Sequence, residues 1–226
     1  MKIGTKSLLF GCHQVIWHPF TVALAYRKLF KRWPDLYGSI AIFVHDWGYW
    51  GKSDIDGEDG KTHPMLGAII TGKLTYYIER LRGRNRFCAS LVALEQSDRC
   101  VLHSRTVAKE NNLPPSDLCW ADKYSLFCDP EWFYLLRTRL SGEIKEFRLN
   151  AVKSGHVPAT STDRTWLHWF KNYTLAHAAI LNLLQRNSAF RNQILLRNRI
   201  ACSTHMHNAK TLTEYRARLN ADGAGN

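Results

Sequence analysis

The stretch S-I-A-I-F-V-H-D-W-G-Y-W-G-K, residues 39–52, limits the fold more than any other part of the chain. The run from Ile40 to Val44 is wholly apolar and ends abruptly in His45 and Asp46. A helix that is apolar on nearly every side belongs in a protein interior. Its last residues then carry an imidazole and a carboxylate into surroundings where an unpaired charge costs on the order of several kcal/mol. The fold has to bring compensating groups to that point from elsewhere in the chain.

The periodicity is helical almost throughout, and no segment alternates as a strand does, so the expected fold is all-α. A first helix is expected over about 14–32, with His18, Val22, Ala25 and Leu29 on one stripe and Trp33-Pro34-Asp35 ending it. The apolar helix runs over about 36–47 and stops near Gly48. Residues 51–62 form a polar, glycine-rich loop. Its Asp54, Asp56 and Glu58 suggest a calcium loop, but the sixth position is Asp59 and the twelfth is Met65, which excludes that reading.

Thr62 can cap a third helix over 63–81, with a buried stripe of His63, Leu66, Gly67, Ile70 and Leu74. A fourth helix, about 86–110, carries His103. After the loop N-N-L-P-P-S-D, Ser116 can cap a fifth, about 117–128, which carries Asp122. Asp129-Pro130 restarts the chain as one longer helix to about 153. Residues 154–162 read as a linker, 163–186 as an aromatic-rich helix that forms core or a dimer face, and 188–200 as a basic helical stretch. The tail from about 208 is expected to be disordered. The expected organisation is a catalytic domain over 1–153 and a helical extension over 154–226 packed on it.

On this sketch five helices deliver His18, the pair His45-Asp46, His63, His103 and Asp122. Imidazole with carboxylate suits zinc, iron, manganese or cobalt, and a shared cation offsets the cost of burying these groups. His13, His205 and His207 stand isolated and are not counted among the ligands. Trp47, Tyr49 and Trp50 read as packing residues, with a role for one of them in stacking on a base as the alternative.

These segments, in this order, resemble the HD-domain superfamily of all-helical metal-dependent phosphohydrolases over about residues 14–130. His18-Pro19-Phe20-Thr21-Val22-Ala23-Leu24-Ala25 resembles the first-helix histidine segment of that family, and A-I-F-V-H-D-W-G its His-Asp doublet. T-H-P-M-L-G-A-I-I resembles the segment that supplies a second-site histidine in the dinuclear branch. Val101-Leu102-His103 resembles the next, and L-C-W-A-D-K-Y-S-L-F the closing aspartate segment. The resemblance implies an HD-like helical bundle with additional C-terminal helices, and two divalent metal ions drawn from Fe, Mn, Zn, Co and Mg. It implies a first metal on His18, His45, Asp46 and Asp122, and a second on His63 and His103 with Asp46 bridging. The implied reaction is hydrolysis of a nucleotide or another small phosphoester by a metal-activated hydroxide. Asp46 is then the central catalytic ligand. Lys52, Arg105 and Lys123, each within a few residues of a ligand, are candidate phosphate contacts. Two departures from the cyclic-dinucleotide-cleaving branch narrow the reading. Ser104 follows His103 where that branch has a second histidine, which counts against a third metal. Tyr49 stands where that branch has a lysine, so Lys52 is the first lysine after the doublet.

Charge bears on partners. The 226 residues carry 31 lysines and arginines against 19 acids, a net +12, which favours anionic partners such as nucleotides or nucleic acid. Arg186, Arg191, Arg197 and Arg199 read as a solvated face, with nucleic-acid binding as the alternative. Two other function classes fit the residues: a di-iron oxygenase using the same ligands, and a nucleic-acid-binding protein with a structural metal. The opening M-K-I-G-T-K-S-L-L-F-G-C-H-Q reads as neither a signal peptide nor a spanning segment, so no membrane partner is expected. The six cysteines lack any CxxC pair and read as reduced thiols of a cytoplasmic protein, with homodimerisation open.

Overall fold

Each helix starts and stops on a chemical signal, and those signals decide where the candidate ligands lie. The computed structural model of the chain describes Gln14 and residues 16–50 and 58–186. The elements are α1 (His18–Phe30), α2 (Leu36–Val44), a 3-10 turn (Trp47–Tyr49), α3 (Glu58–Lys61), α4 (His63–Leu81), α5 (Arg86–Val101), α6 (Arg105–Glu110), α7 (Asp117–Ser125), α8 (Glu131–Ser141), α9 (Glu143–Lys153) and α10 (Asp163–Arg186). The fold is all-α, with no strand among the described residues. Lys52, His13, Arg191, Arg197, Arg199, His205, His207 and the tail lie outside the described residues.

Asp35, Asn85 and Ser116 start α2, α5 and α7 by accepting from the N–H groups of Gly38, Cys88 and Cys119 at 2.6, 2.8 and 3.3 Å. Both α1 and α4 open with His-Pro, placing Pro19 and Pro64 in a first turn, where the missing N–H has no helical partner to lose. Thr62 differs from expectation. Its backbone is already helical, so its side chain makes no capping bond.

Two expected helices are each interrupted. The one over 86–110 breaks at residues 102–104, where Ser104 takes extended backbone angles and caps α6 through the Val107 N–H. The one from 130 to 153 breaks at Gly142, whose φ of +82° is a left-handed conformation that glycine adopts without Cβ strain.

Helix α2 lies at the centre, packed against α1, α4, α5 and α7, while α4 and α5 form the most extensively packed pair. Val22, Ala25, Ala41, Ile42, Leu118 and Ala121 are inaccessible or nearly so. The stripe expected on α4 is rotated. Leu66 and Leu74 are each 43% exposed, while Gly67, Ala68, Thr71 and Thr75 face the core. The reason is proximity: a Cβ on Gly67 would meet Val44 O at 2.6 Å, His45 Cα at 2.8 Å and Cys100 Sγ at 2.9 Å. Only small side chains fit there. A second cluster, built on Tyr134, Leu135, Ile144, Trp166 and Leu167, holds α8, α9 and the start of α10 together. The described residues through Ala179 belong to one compact unit.

One buried polar network ties together four of these elements. Arg99 of α5 donates to both oxygens of Asp117, Nε to Oδ1 at 2.8 Å and a terminal nitrogen to Oδ2 at 2.6 Å. Tyr26 of α1 donates to the same Oδ2 at 2.8 Å, and Arg99 reaches Asp35, the cap of α2, at 3.3 Å. Burial alone would raise the Asp117 carboxyl, but the Arg99 guanidinium prevails and holds it below the usual carboxylate range. A carboxylate whose pKa is depressed on folding stabilises the fold above its unfolded pKa, and that contribution is lost as pH falls through the folded value. We therefore expect Asp117→Asn to lower stability near neutral pH by about 3 kcal/mol, because it leaves a buried guanidinium uncompensated. In urea titrations the gap from the unaltered protein should close as pH drops below the ordinary carboxylate range. A pH-independent gap would show that the charge is not what Asp117 contributes.

Candidate metal centre

His18 is the first residue of α1, His63 the first of α4, and His45 caps the end of α2 with Asp46 following it. His103 lies in the break after α5, and Asp122 stands within α7. All six are at most 8% exposed. They form two groups, His18, His45, Asp46 and Asp122 in one and Asp46, His63 and His103 in the other. Within each group the possible ligating atoms lie within 4.8 Å of one another.

Asp46 belongs to both. Its Oδ2 lies 3.2 Å from Nε2 of His18 and 3.2 Å from Nε2 of His45. Its Oδ1 faces the other way, 3.9 Å from Nε2 of His63 and 3.5 Å from Nε2 of His103. Asp122 Oδ1 completes the first group at 3.0 Å from His18 and 3.7 Å from His45. Ligands about 2.1 Å from a cation stand about 3.0 Å apart along an octahedron's edge and about 3.4 Å along a tetrahedron's. The spacing fits a shared cation.

The histidine tautomers fit it too. Nδ1 of His45, His63 and His103 faces a backbone oxygen three residues earlier, Ile42 O at 2.8 Å, Gly60 O at 2.6 Å and Cys100 O at 2.5 Å. A carbonyl only accepts, so each Nδ1 carries the hydrogen, and in the neutral ring Nε2 presents its lone pair inward. These oxygens belong to last turns of α2, α3 and α5, where a helix has no regular partner for them. The Nε2 atoms of His63 and His103 face each other at 2.9 Å, which needs a proton or a cation against both.

Electrostatics follow from burial and neighbours. Burial opposes charge on His45, but Asp46 and Asp122 outweigh it and push its pKa up to about 10. Burial pushes His103 down, keeping it neutral. Burial would raise Asp122, yet Lys123, His18 and His45 hold it well below the usual carboxylate range. The Lys123 ammonium stands 3.4 Å from Asp122 Oδ2; burial works against its charge, and the Asp122 carboxylate beside it keeps its pKa raised. Burial pushes the Cys100 thiol up to about 12 and raises Cys119 as well, so the nearby sulfurs are thiols rather than thiolate ligands.

Two features brace the ligands. Tyr49 stacks on His63 with ring centres 3.8 Å apart, while Trp47 and Trp50 are substantially exposed. A Cβ on Gly48 would come within 1.9 Å of the His63 carbonyl oxygen, so the turn after Asp46 closes on α4 only because residue 48 is glycine.

The groups open into a cavity of about 350 Å3. His18, Asp46, His63, His103 and Asp122 line it, and so do Arg105 and Lys123. The Arg105 guanidinium also bonds the Tyr173 hydroxyl at 3.2 Å. Sequence reasoning missed the part of the wall built by α9, α10 and the turn between them, including Phe147, Asn150, Ser154, His156, Trp169 and Phe170. The aromatic spacing in 163–186 was the available signal, but it is equally the signature of core. The chain matches no family model, no curated protein and no solved structure.

Two outcomes are expected. Near neutral pH metal-free His45 keeps its proton, so a cation entering the first group displaces it, and affinity rises with pH toward about 10. Calorimetry of Mn2+ uptake in buffers of different ionisation heat should register about one proton released; none released would remove His45 from the ligand set. Gly48→Ala should lower stability by about 1–3 kcal/mol through overpacking and weaken metal retention. Unchanged metal content in that variant would show that the turn does not position Asp46 and His63.

Proposed function

We propose that this chain is an HD-type metal-dependent phosphohydrolase acting on a nucleotide or another small phosphoester. The observation that carries the reading is the pair of His/Asp groups sharing Asp46 in one cavity with cationic side chains, Arg105 and Lys123 among them. His18, His45, Asp46 and Asp122 would hold one divalent ion, and Asp46, His63 and His103 a second. Such ions supply Lewis acidity toward phosphoryl oxygens and water acidified toward neutrality.

The chain's own residues do the remaining work. Nδ1 bonds to backbone oxygens point Nε2 of His45, His63 and His103 inward before any ligand arrives, so little reorientation of the rings is needed. Lys123 offers positive charge in a partly desolvated wall, where a phosphate is attracted more strongly than in water, and the exposed Arg105 adds a second cation on the same cavity. Those cations favour an anionic substrate over O2, which has no charge for them to meet.

Elemental analysis of freshly purified protein, with a phosphate-release screen over nucleotides and simple phosphomonoesters, tests the reading. Metal-bearing protein that releases no phosphate from any of them, and consumes O2 with bound iron, would replace it with the oxygenase. We expect Asp46→Ala to lose both ions and to reduce turnover to background, because Asp46 alone serves both groups. His63→Ala should keep one ion per chain. Two ions retained in Asp46→Ala would overturn the ligand assignment.

A further inference from the structure

We propose that the aromatic face of α10 selects the substrate by seating a flat aromatic ring while the phosphoryl group lies against the His/Asp groups. This rests on the phosphohydrolase reading and adds the substrate class, a phosphoester of an aromatic or heteroaromatic compound. Trp166, Trp169 and Phe170 stand at i, i+3 and i+4, so one stripe of α10 carries all three rings. Trp166 is 3% exposed and belongs to the second core, and Phe170 stacks on it with centres 5.2 Å apart and planes 11° apart. Trp169 and Phe170 are only half-buried, and both line the cavity. Both also pack against the second core, and Trp169 stacks on His156 with centres 5.1 Å apart, but unlike Trp166 each keeps a half-buried surface on the cavity.

The size of that volume agrees. About 350 Å3 is more than a phosphoryl group needs and lies within the range of about 300–1,000 Å3 that holds a whole small molecule. The cavity's polar character is also divided. Arg105 is committed to Tyr173, with its guanidinium 5.6 Å from the ring centre and a hydrogen bond to the hydroxyl. Arg105 and Lys123 provide for an anion, whereas Asn150 and Ser154 bring neutral donors and acceptors to the same wall as Trp169 and Phe170. Rings with neutral hydrogen-bonding groups beside them suit a heteroaromatic ring with polar edges better than an aliphatic chain.

The test uses metal-loaded full-length protein and three probes: adenosine 5′-monophosphate, glycerol 1-phosphate and adenosine. The unaltered protein should prefer adenosine 5′-monophosphate to glycerol 1-phosphate in kcat/KM. Trp169→Leu should cut that preference about tenfold, the size of one lost base–aromatic stack, and Trp169→Phe should keep most of it. Adenosine should bind the unaltered protein and bind Trp169→Leu about tenfold more weakly. Equal turnover of both phosphoesters, with the ratio unmoved by Trp169→Leu, overturns the ring site and leaves the reaction standing. Adenosine binding that weakens in Trp169→Leu without any phosphate release keeps the ring site and overturns the reaction. No binding and no turnover overturns both. If circular dichroism shows Trp169→Leu unfolded, Asn150→Ala replaces it, and an unchanged ratio together with unchanged adenosine binding in that variant overturns the ring site.

Discussion

The carboxylate of Asp46 is the point around which the molecule is arranged. It is buried, and each of its oxygens faces a different pair of histidines. A carboxylate at that depth persists as an anion only among groups that can carry positive charge or hold a cation. Four histidines supply that environment, and all four sit at helix boundaries. Boundaries are where such residues gain most. The last-turn carbonyls there lack regular partners, and a histidine three residues later can use one through Nδ1 while its Nε2 turns inward.

Convergence on Asp46 requires several helix ends to meet with little freedom. Two devices achieve this. Close contact is obtained by deleting side chains, at Gly48 against His63 and at Gly67 against Val44, His45 and Cys100. Orientation is obtained from the Arg99–Asp117 pair, which joins α5 to α7 and, through Tyr26 and Asp35, reaches α1 and the start of α2. The site and this network are thus two polar clusters on the same set of helices. One holds the frame, and the other is left open to ligands.

The helices after α7 contribute in a different way. They supply none of the six ligands, yet α9, α10 and the turn between them complete the cavity wall beside the site. On the proposed reading, chemistry and selectivity are drawn from different parts of the chain. A change in the aromatic wall would then alter what is bound without disturbing the groups that could hold a metal.

The helical class, the stripe His18, Val22, Ala25 and Leu29, and the cap at Ser116 were legible in the sequence because they depend on local spacing and local hydrogen bonding. So was the apolar run ending in His45-Asp46, since burial cost alone demands partners for that pair. The interruption at 102–104 was not legible, because helical periodicity continues across it while Ser104 takes extended backbone angles and caps a new helix. Gly142 looked like one residue within a longer helix until its left-handed conformation separated α8 from α9. The inward face of α4 was misplaced for a related reason. Hydrophobicity favoured Leu66 and Leu74, but the distance between packed helices admits only glycine, alanine and threonine there. Sequence by itself determined which residue types had to be compensated. Tertiary structure decided which atoms meet, because each oxygen of Asp46 finds its histidines through packing between segments far apart in the chain.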